Sequence, residues 1–257
     1  MFIKKLTTIA SILILSMVLA TGCATEKPAD TNAPAPAETP AETPAETPAD
    51  VAEIKTMTGA ELVEQNSAKK KDEVLIIDVR SPEEYQAGHI ENAININIEG
   101  FEDNLSIIED KKDFPIIVYC NSGKKSGQAA EILVNNGFKD VTNADGVKQF
   151  EYTLVHYNEL RGAQFQELID TNKEIVLVDV RPEKQVSEEG MIAGAINVPF
   201  DAVEANIEKL PKDKTIAVYC NTGTKSVEAA KQLEVLGYAN VVNSIEGVKE
   251  FTFELVK

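Results

Sequence analysis

Two consecutive α/β domains, each carrying a parallel sheet, are predicted for this chain by three observations. Residues 119–126, YCNSGKKS, return at 219–226 as YCNTGTKS, with six of eight positions identical. Ahead of each copy stands an apolar run that ends in Asp-Val-Arg, VLIIDV over 74–79 and IVLVDV over 175–180. Such near-continuous runs are the pattern of strands covered on both faces. Behind each copy lies a stretch with helical apolar spacing, 126–136 or 226–236, stopped by Gly137 or Gly237. Strands and helices alternating in this way build a parallel sheet with crossover helices.

Residues 1–22 read as an export signal: Lys4 and Lys5 provide a basic start, 9–19 an apolar core too short to span, and small residues lead to Cys23. The stretch Leu19-Ala20-Thr21-Gly22-Cys23 resembles the lipobox of bacterial lipoproteins, which implies lipidation of Cys23 and an extracytoplasmic, membrane-anchored protein. An ordinary secretory peptide cleaved nearby is the alternative. Residues 23–52 are rich in Pro, Ala, Glu and Thr, with Ala-Glu-Thr-Pro recurring from Ala37, and are expected to form an extended, solvated tether. The two domains are expected at 53–153 and 154–257.

Within each domain the elements repeat in order. After Asp78-Val79-Arg80, Ser81-Pro82-Glu83-Glu84 starts a helix with proline in its first turn and acids at its positive end; Arg181-Pro182-Glu183-Lys184 does the same in the second copy. Gly88-His89-Ile90 leads to Ala93-Ile94-Asn95, matched by Gly190-Met191-Ile192 and Ala195-Ile196-Asn197, each a turn feeding a short strand. A third strand, 115–119 or 215–219, runs into the cysteine. A short strand near Val141 or Val241 precedes Gly146-Val147 or Gly247-Val248.

The whole chain carries a formal charge of -17. Nucleic acid and anionic lipid surfaces both call for a basic face, so neither is an expected partner. Only Cys120 and Cys220 remain after Cys23. They take equivalent places in two repeats, which argues against a bridge stapling either domain. His89 and His156 stand too far from either cysteine in sequence to complete a zinc pattern.

The order Asp-Val-Arg, Glu-Glu-Tyr, Gly-His-Ile, Ala-Ile-Asn and finally Cys-x-x-Gly-x-Lys-Ser resembles the rhodanese family of sulfurtransferases, over roughly 55–150 and again 156–253. That resemblance implies two central five-stranded parallel sheets flanked by helices. It also implies catalytic cysteines, Cys120 and Cys220, each heading a six-residue loop that leads into a helix. Two departures stand out: Lys125 and Lys225 replace an arginine common in active members, and Phe150 and Phe251 stand where tryptophan is frequent.

Sulfur transfer needs a thiolate, and a thiol with a reference pKa near ~8.5 is mostly protonated at neutral pH. A loop between a strand end and a helix start can stabilise it, because successive backbone N–H groups converge there and Gly123 or Gly223 permits the tight curvature. The remaining loop residues, Asn121, Ser122, Lys124, Lys125 and Ser126 in the first copy and Asn221, Thr222, Thr224, Lys225 and Ser226 in the second, are candidates for binding a small sulfur-bearing anion such as thiosulfate. Lys124, Lys125 and Lys225 add positive charge in a protein that otherwise repels anions. Ser126 and Ser226 are expected to cap the helix, with donation to the sulfur as the alternative. The acceptor would be a thiol or a cyanide-like nucleophile, and the cycle requires no metal or organic cofactor.

Asp78, Arg80, Asp179 and Arg181 are read as structural ion pairs at the strand-to-helix turn, and His89 as a packing or turn residue because Met191 replaces it. Two other functions compete. A cysteine phosphatase or arsenate reductase needs Arg six positions after the cysteine, where Ser126 and Ser226 stand, and so lacks its forked oxyanion donor. A noncatalytic binding module would fold the same way without a reactive thiol.

Overall fold

The computed structural model describes residues 52–67 and 70–257. The expected signal peptide, the lipidation site Cys23 and the tether as far as residue 51 lie outside the described residues. Both repeats fall within one compact unit.

Repeat 1 opens with β1 (Lys55–Met57) and α1 (Gly59–Gln65), whose start is held by a reciprocal pair of hydrogen bonds between Thr58 and Glu61. It continues with β2 (Leu75–Asp78), α2 (Pro82–Gln86), β3 (His89–Ile90), β4 (Ala93–Asn95), β5 (Ile116–Tyr119), α3 (Lys124–Asn135) and β6 (Val141–Ala144). The segment β7 (Leu154–Val155) follows, and repeat 2 runs β8 (Asn158–Leu160), α4 (Gly162–Thr171), β9 (Val176–Asp179), α5 (Glu183–Glu189), β10 (Met191–Ile192), β11 (Ile196–Asn197), β12 (Ile216–Tyr219), α6 (Thr224–Val235), β13 (Val241–Ser244) and β14 (Leu255–Val256).

Each repeat holds a five-stranded, wholly parallel sheet. The orders β1-β6-β5-β2-β4 and β8-β13-β12-β9-β11 are equivalent. The expected α/β class and the sheet implied by the resemblance are therefore observed. One edge strand of each sheet, Lys-Thr-Met in the first and Asn-Glu-Leu in the second, escaped the sequence reading because three mixed residues carry no apolar run. Two small antiparallel ladders, β3 with β7 and β10 with β14, were likewise unforeseen.

Alternation along the strands divides each core into two layers. Ile77 and Val118 join Leu133 and Phe138 on one face of the first sheet, while Ile76 and Ile117 join Leu62 and Ile90 on the other. Val178 and Val218 pack against Leu233, and Leu177 and Ala217 against Phe165, in the second. Phe150 and Phe251 cover Gly59 and Gly162 so closely that a Cβ at either glycine would strike the ring. The glycine that opens each of α1 and α4 thus makes room for the aromatic that ends each repeat.

The Asp-Val-Arg turns are the ion pairs expected. Asp78 and Arg80 are 0% and 4% exposed, and Arg80 Nη2 donates to Asp78 Oδ2 at 2.6 Å and to the Gly88 carbonyl at 2.7 Å. Asp179 and Arg181 repeat the arrangement at 2.7 Å, with Gly190 accepting at 2.6 Å.

His89 also takes the packing role. It is fully buried, stacks on Tyr85 at 3.7 Å between ring centroids, and meets the edge of Tyr157 at 6.3 Å. Its Nδ1 donates to the Tyr85 carbonyl at 3.1 Å, while Nε2 has no partner. Burial is the main cause that pushes its pKa down to about 3, with the Tyr85 carbonyl opposing and Arg80 and His156 adding to the fall. The folded protein thus resists protonating His89 where the unfolded chain, at an ordinary value near 6.5, accepts the proton. Stability from this residue is complete above about pH 6.5 and is lost as pH falls toward about 3. In urea unfolding across that window, His89→Met, the residue of the second repeat, should lose less stability on acidification than wild type, by a few kcal/mol. Parallel pH profiles for the two proteins would contradict the assignment.

Candidate active site

Each cysteine follows the last residue of a central strand, β5 or β12, and sits one turn before a twelve-residue helix. The loop's geometry begins with its glycine. Gly123 and Gly223 have φ of +77° and +76° and serve as the N-cap residues of α3 and α6, with no side-chain cap. That left-handed backbone favours glycine, and it turns the following N–H groups back toward the cysteine.

At Cys120 the arrangement converges on sulfur. Ser126 Oγ donates to Cys120 Sγ at 3.3 Å, so the serine does not cap the helix as expected; the cap belongs to Gly123. Burial pushes the Cys120 thiol up. The Ser126 hydroxyl and the backbone N–H groups of Ser122, Ser126 and Lys125 outweigh it, leaving the pKa below the ordinary thiol value. Cys120 is 1% exposed, yet Ser122, Lys124 and Lys125 on the same loop are exposed. The sulfur therefore lies at the base of a loop whose rim carries the cationic side chains.

Neighbouring elements hold that loop in place. Val147 N–H donates to the Cys120 carbonyl and Lys148 N–H to the Asn121 carbonyl, both at 3.0 Å. A Cβ on Gly146 would collide with the Cys120 and Asn121 backbone, so glycine is required for this approach. Asn121 Nδ2 donates to Glu84 Oε1 at 2.7 Å, which ties the loop to α2. That bond is the main cause that lowers the Glu84 carboxyl, against some desolvation, with Lys125 among the charges assisting. Asn143, on β6, donates from Nδ2 to the Gly123 carbonyl at 3.1 Å.

The second loop shares the frame and differs at the sulfur. Val248 and Lys249 N–H groups donate to the Cys220 and Asn221 carbonyls at 3.0 and 2.9 Å, and Asn221 pairs with Gln185, the counterpart of Glu84, through two amide bonds. Ser226 Oγ instead donates to the Gly223 carbonyl at 3.0 Å. The Lys225 ammonium lies 4.0 Å from the Phe200 ring centroid, whereas the matching position in repeat 1 is Ile98, which offers no ring to Lys125. Thr222 and Thr224 hydroxyls are 3.3 Å apart. Both cysteines are free.

Sequence reading missed three partners of these loops, Glu84, Gln185 and Asn143, together with Asn243, the second-repeat counterpart of Asn143 that bonds Glu159 instead. The signal that marks the last two is an asparagine preceding the repeated Gly-Val in both halves.

Replacing Ser126 with Ala removes one hydrogen bond to an anionic sulfur, so Cys120 alkylation by iodoacetamide at neutral pH should slow by roughly tenfold, with its pH midpoint moved upward. An unchanged profile would show that the hydroxyl does not stabilise the thiolate.

The profile described as Rhodanese-like domain matches residues 60–148 and 162–254. The thiosulfate sulfurtransferase PspE of Escherichia coli K12 is 44% identical over 72 residues, 28% of this chain and 69% of that protein. A tRNA uridine(34) hydroxylase of Photorhabdus laumondii is 33% identical over 85 residues, and there the match spans only 24% of the relative's length and 32% of this chain. Among solved structures, a rhodanese with anions from E. coli is 40% identical, with 32% of this chain and 96% of that one covered and a TM-score of 0.30.

Proposed function

The chain belongs to the rhodanese-like family, and from that premise we propose that it is a sulfurtransferase working through a persulfide on a loop cysteine. The Cys120 thiolate attacks the outer sulfur of a thiosulfate-like donor; the S–S bond of the donor breaks and sulfite departs with the bonding pair. The persulfide anion that remains is spread over the N–H groups of the loop. A thiol or cyanide-like acceptor then attacks the terminal sulfur, and the cysteine leaves as thiolate. No electron is gained or lost by the protein over the full cycle.

The observation that carries this reading is the convergence of the Ser126 hydroxyl and three backbone N–H groups on one sulfur. A noncatalytic module gains nothing from hydrogen bonds that lower the pKa of a thiol. Exposed Lys124 and Lys125 provide local attraction for an anion, though as point charges rather than the two-pronged donor of arginine. In this reading the lipobox at Cys23 and the tether behind it hold the enzyme outside the cytoplasm, lipid-anchored to a bacterial membrane. The test is sulfur uptake from thiosulfate, followed by mass spectrometry of the peptides that carry Cys120 and Cys220. Absence of added sulfur on either peptide, in protein with titratable thiols, would overturn the proposal.

A further inference from the structure

We propose that Glu159, buried between the repeats, is a positioning residue that withholds the Ser226 hydroxyl from Cys220, so that the two thiols are unequal and repeat 1 is the principal sulfur carrier. The inference rests on the sulfur-transfer reading and concerns how that chemistry is divided between the sites.

One chain of hydrogen bonds separates the two loops. Asn143 and Asn243 occupy the same place in the two sheets, opposite Val118 and Val218 on the neighbouring strand. In repeat 1 the Gly123 carbonyl accepts the Gly127 N–H at 2.9 Å and the Asn143 amide at 3.1 Å, so both of its lone pairs are used. Ser126 is left to turn its hydroxyl to sulfur. In repeat 2 the Asn243 amide donates instead to Glu159 Oε2 at 2.7 Å. The Gly223 carbonyl, which accepts the Val227 N–H at 3.0 Å, keeps a lone pair free of Asn243, and the Ser226 hydroxyl donates to it at 3.0 Å, with the Ser244 carbonyl a longer 3.5 Å away.

What differs is the residue across the strand pair. Asn143 faces Thr56 on the exposed edge strand β1, while Asn243 faces Glu159 on β8. Glu159 is 2% exposed, and its Oε1 accepts the Asn92 N–H at 3.0 Å. Asn92 holds the β3–β4 turn of repeat 1 with φ of +64°. One carboxylate therefore links a turn of the first repeat to strand β13 of the second. A buried carboxylate needs such donors, so the bond to Asn243 is strongly favoured over release of that amide to Gly223.

Two further differences act in the same direction. Repeat 2 has one more residue between the asparagine and the Gly-Val pair, and Ile245 packs its carbonyl against Gly223, where Gly123 has only side-chain ends nearby. Lys225 is drawn over Phe200.

The experiment measures iodoacetamide alkylation of each cysteine at neutral pH by peptide mass spectrometry. Cys120 should react faster than Cys220. Glu159→Thr, which installs the residue found at position 56, should accelerate Cys220 by about five- to tenfold, since one hydrogen bond to a thiolate is regained. The gain should vanish when Ser226→Ala is added, which a mere loosening of the fold would not reproduce. The reciprocal change, Thr56→Glu on an exposed strand, should draw Asn143 away from Gly123 and slow Cys120 by a similar factor. The proposal fails if Glu159→Thr leaves Cys220 unchanged, if its gain survives loss of the Ser226 hydroxyl, or if Thr56→Glu leaves Cys120 unchanged. Sulfur loading of the same proteins separates the two readings: loading at Cys120 without these shifts sinks only the role of Glu159, and the shifts without loading sink only sulfur transfer.

Discussion

Cys120→Ser protein should show thiosulfate-to-cyanide sulfur transfer reduced by about five- to tenfold, to the level the second loop supports, with the peptide carrying residue 120 taking up no sulfur, and adding Cys220→Ser should bring the loss to at least about two orders of magnitude. The magnitude follows from the role. A serine hydroxyl in the same place has neither the thiolate's nucleophilicity nor the ability to hold a second sulfur, and loss of a covalent nucleophile removes the reaction path rather than weakening it. The fold should be unaffected, because sulfur and oxygen at a position supported by the Val147 and Ser126 contacts differ little in demands on packing. Cys220→Ser should cost less than Cys120→Ser, by about five- to tenfold, given that the Ser226 hydroxyl faces the Gly223 carbonyl. Equal losses at the two positions would remove the distinction between the loops. Full activity in the Cys120 variant would remove the assignment itself.

The largest expected effect on stability lies at Asp78→Ala. Arg80 is almost wholly buried and makes three side-chain bonds to the Asp78 carboxylate, of 2.6 to 3.0 Å. The Arg80 backbone N–H adds a fourth at 2.9 Å. Burial alone disfavours the charged guanidinium, and hydrogen bonds and charge from Asp78 more than restore it, so that the pKa of Arg80 lies above its ordinary value. Taking the carboxylate away leaves a buried cation with the Gly88 carbonyl and the Tyr119 ring, 5.8 Å from the guanidinium carbon, in place of a counter-charge. Such a break costs about 3–5 kcal/mol, a large part of the 5–15 kcal/mol that typically holds a domain together. Urea unfolding should show a midpoint lowered accordingly. The double variant Asp78→Leu with Arg80→Met should recover much of the loss, since an apolar pair leaves no charge without a partner. A single variant as stable as wild type would mean that water reaches the guanidinium.

These two residues also mark where sequence reading succeeds. Asp78 and Arg80 are two positions apart at the end of an apolar run, and strand geometry alone brings their side chains to one turn. The cysteine loop is similarly local: strand, Cys, two residues, Gly, then helix, within a dozen positions. Repetition at a spacing of one hundred residues exposed both, together with the sheet's inner strands, because each depends on contacts between close neighbours or on continuous apolar burial.

Other features depend on which distant groups compete for one donor. Ser126 and Ser226 occupy identical places in near-identical loops, yet one hydroxyl serves sulfur and the other a carbonyl. From Cys to Ser the two loops differ at 122/222 and 124/224 alone. The difference enters through Glu159 and Asn243, 84 positions apart, and through Asn92 from the other repeat. Local order thus determined that this chain would fold as two parallel-sheet repeats with a thiol at the mouth of a helix in each. Packing of one repeat on the other decided which hydroxyl faces sulfur, because a hydrogen-bond donor with several acceptors in reach is assigned only when all its neighbours are in place.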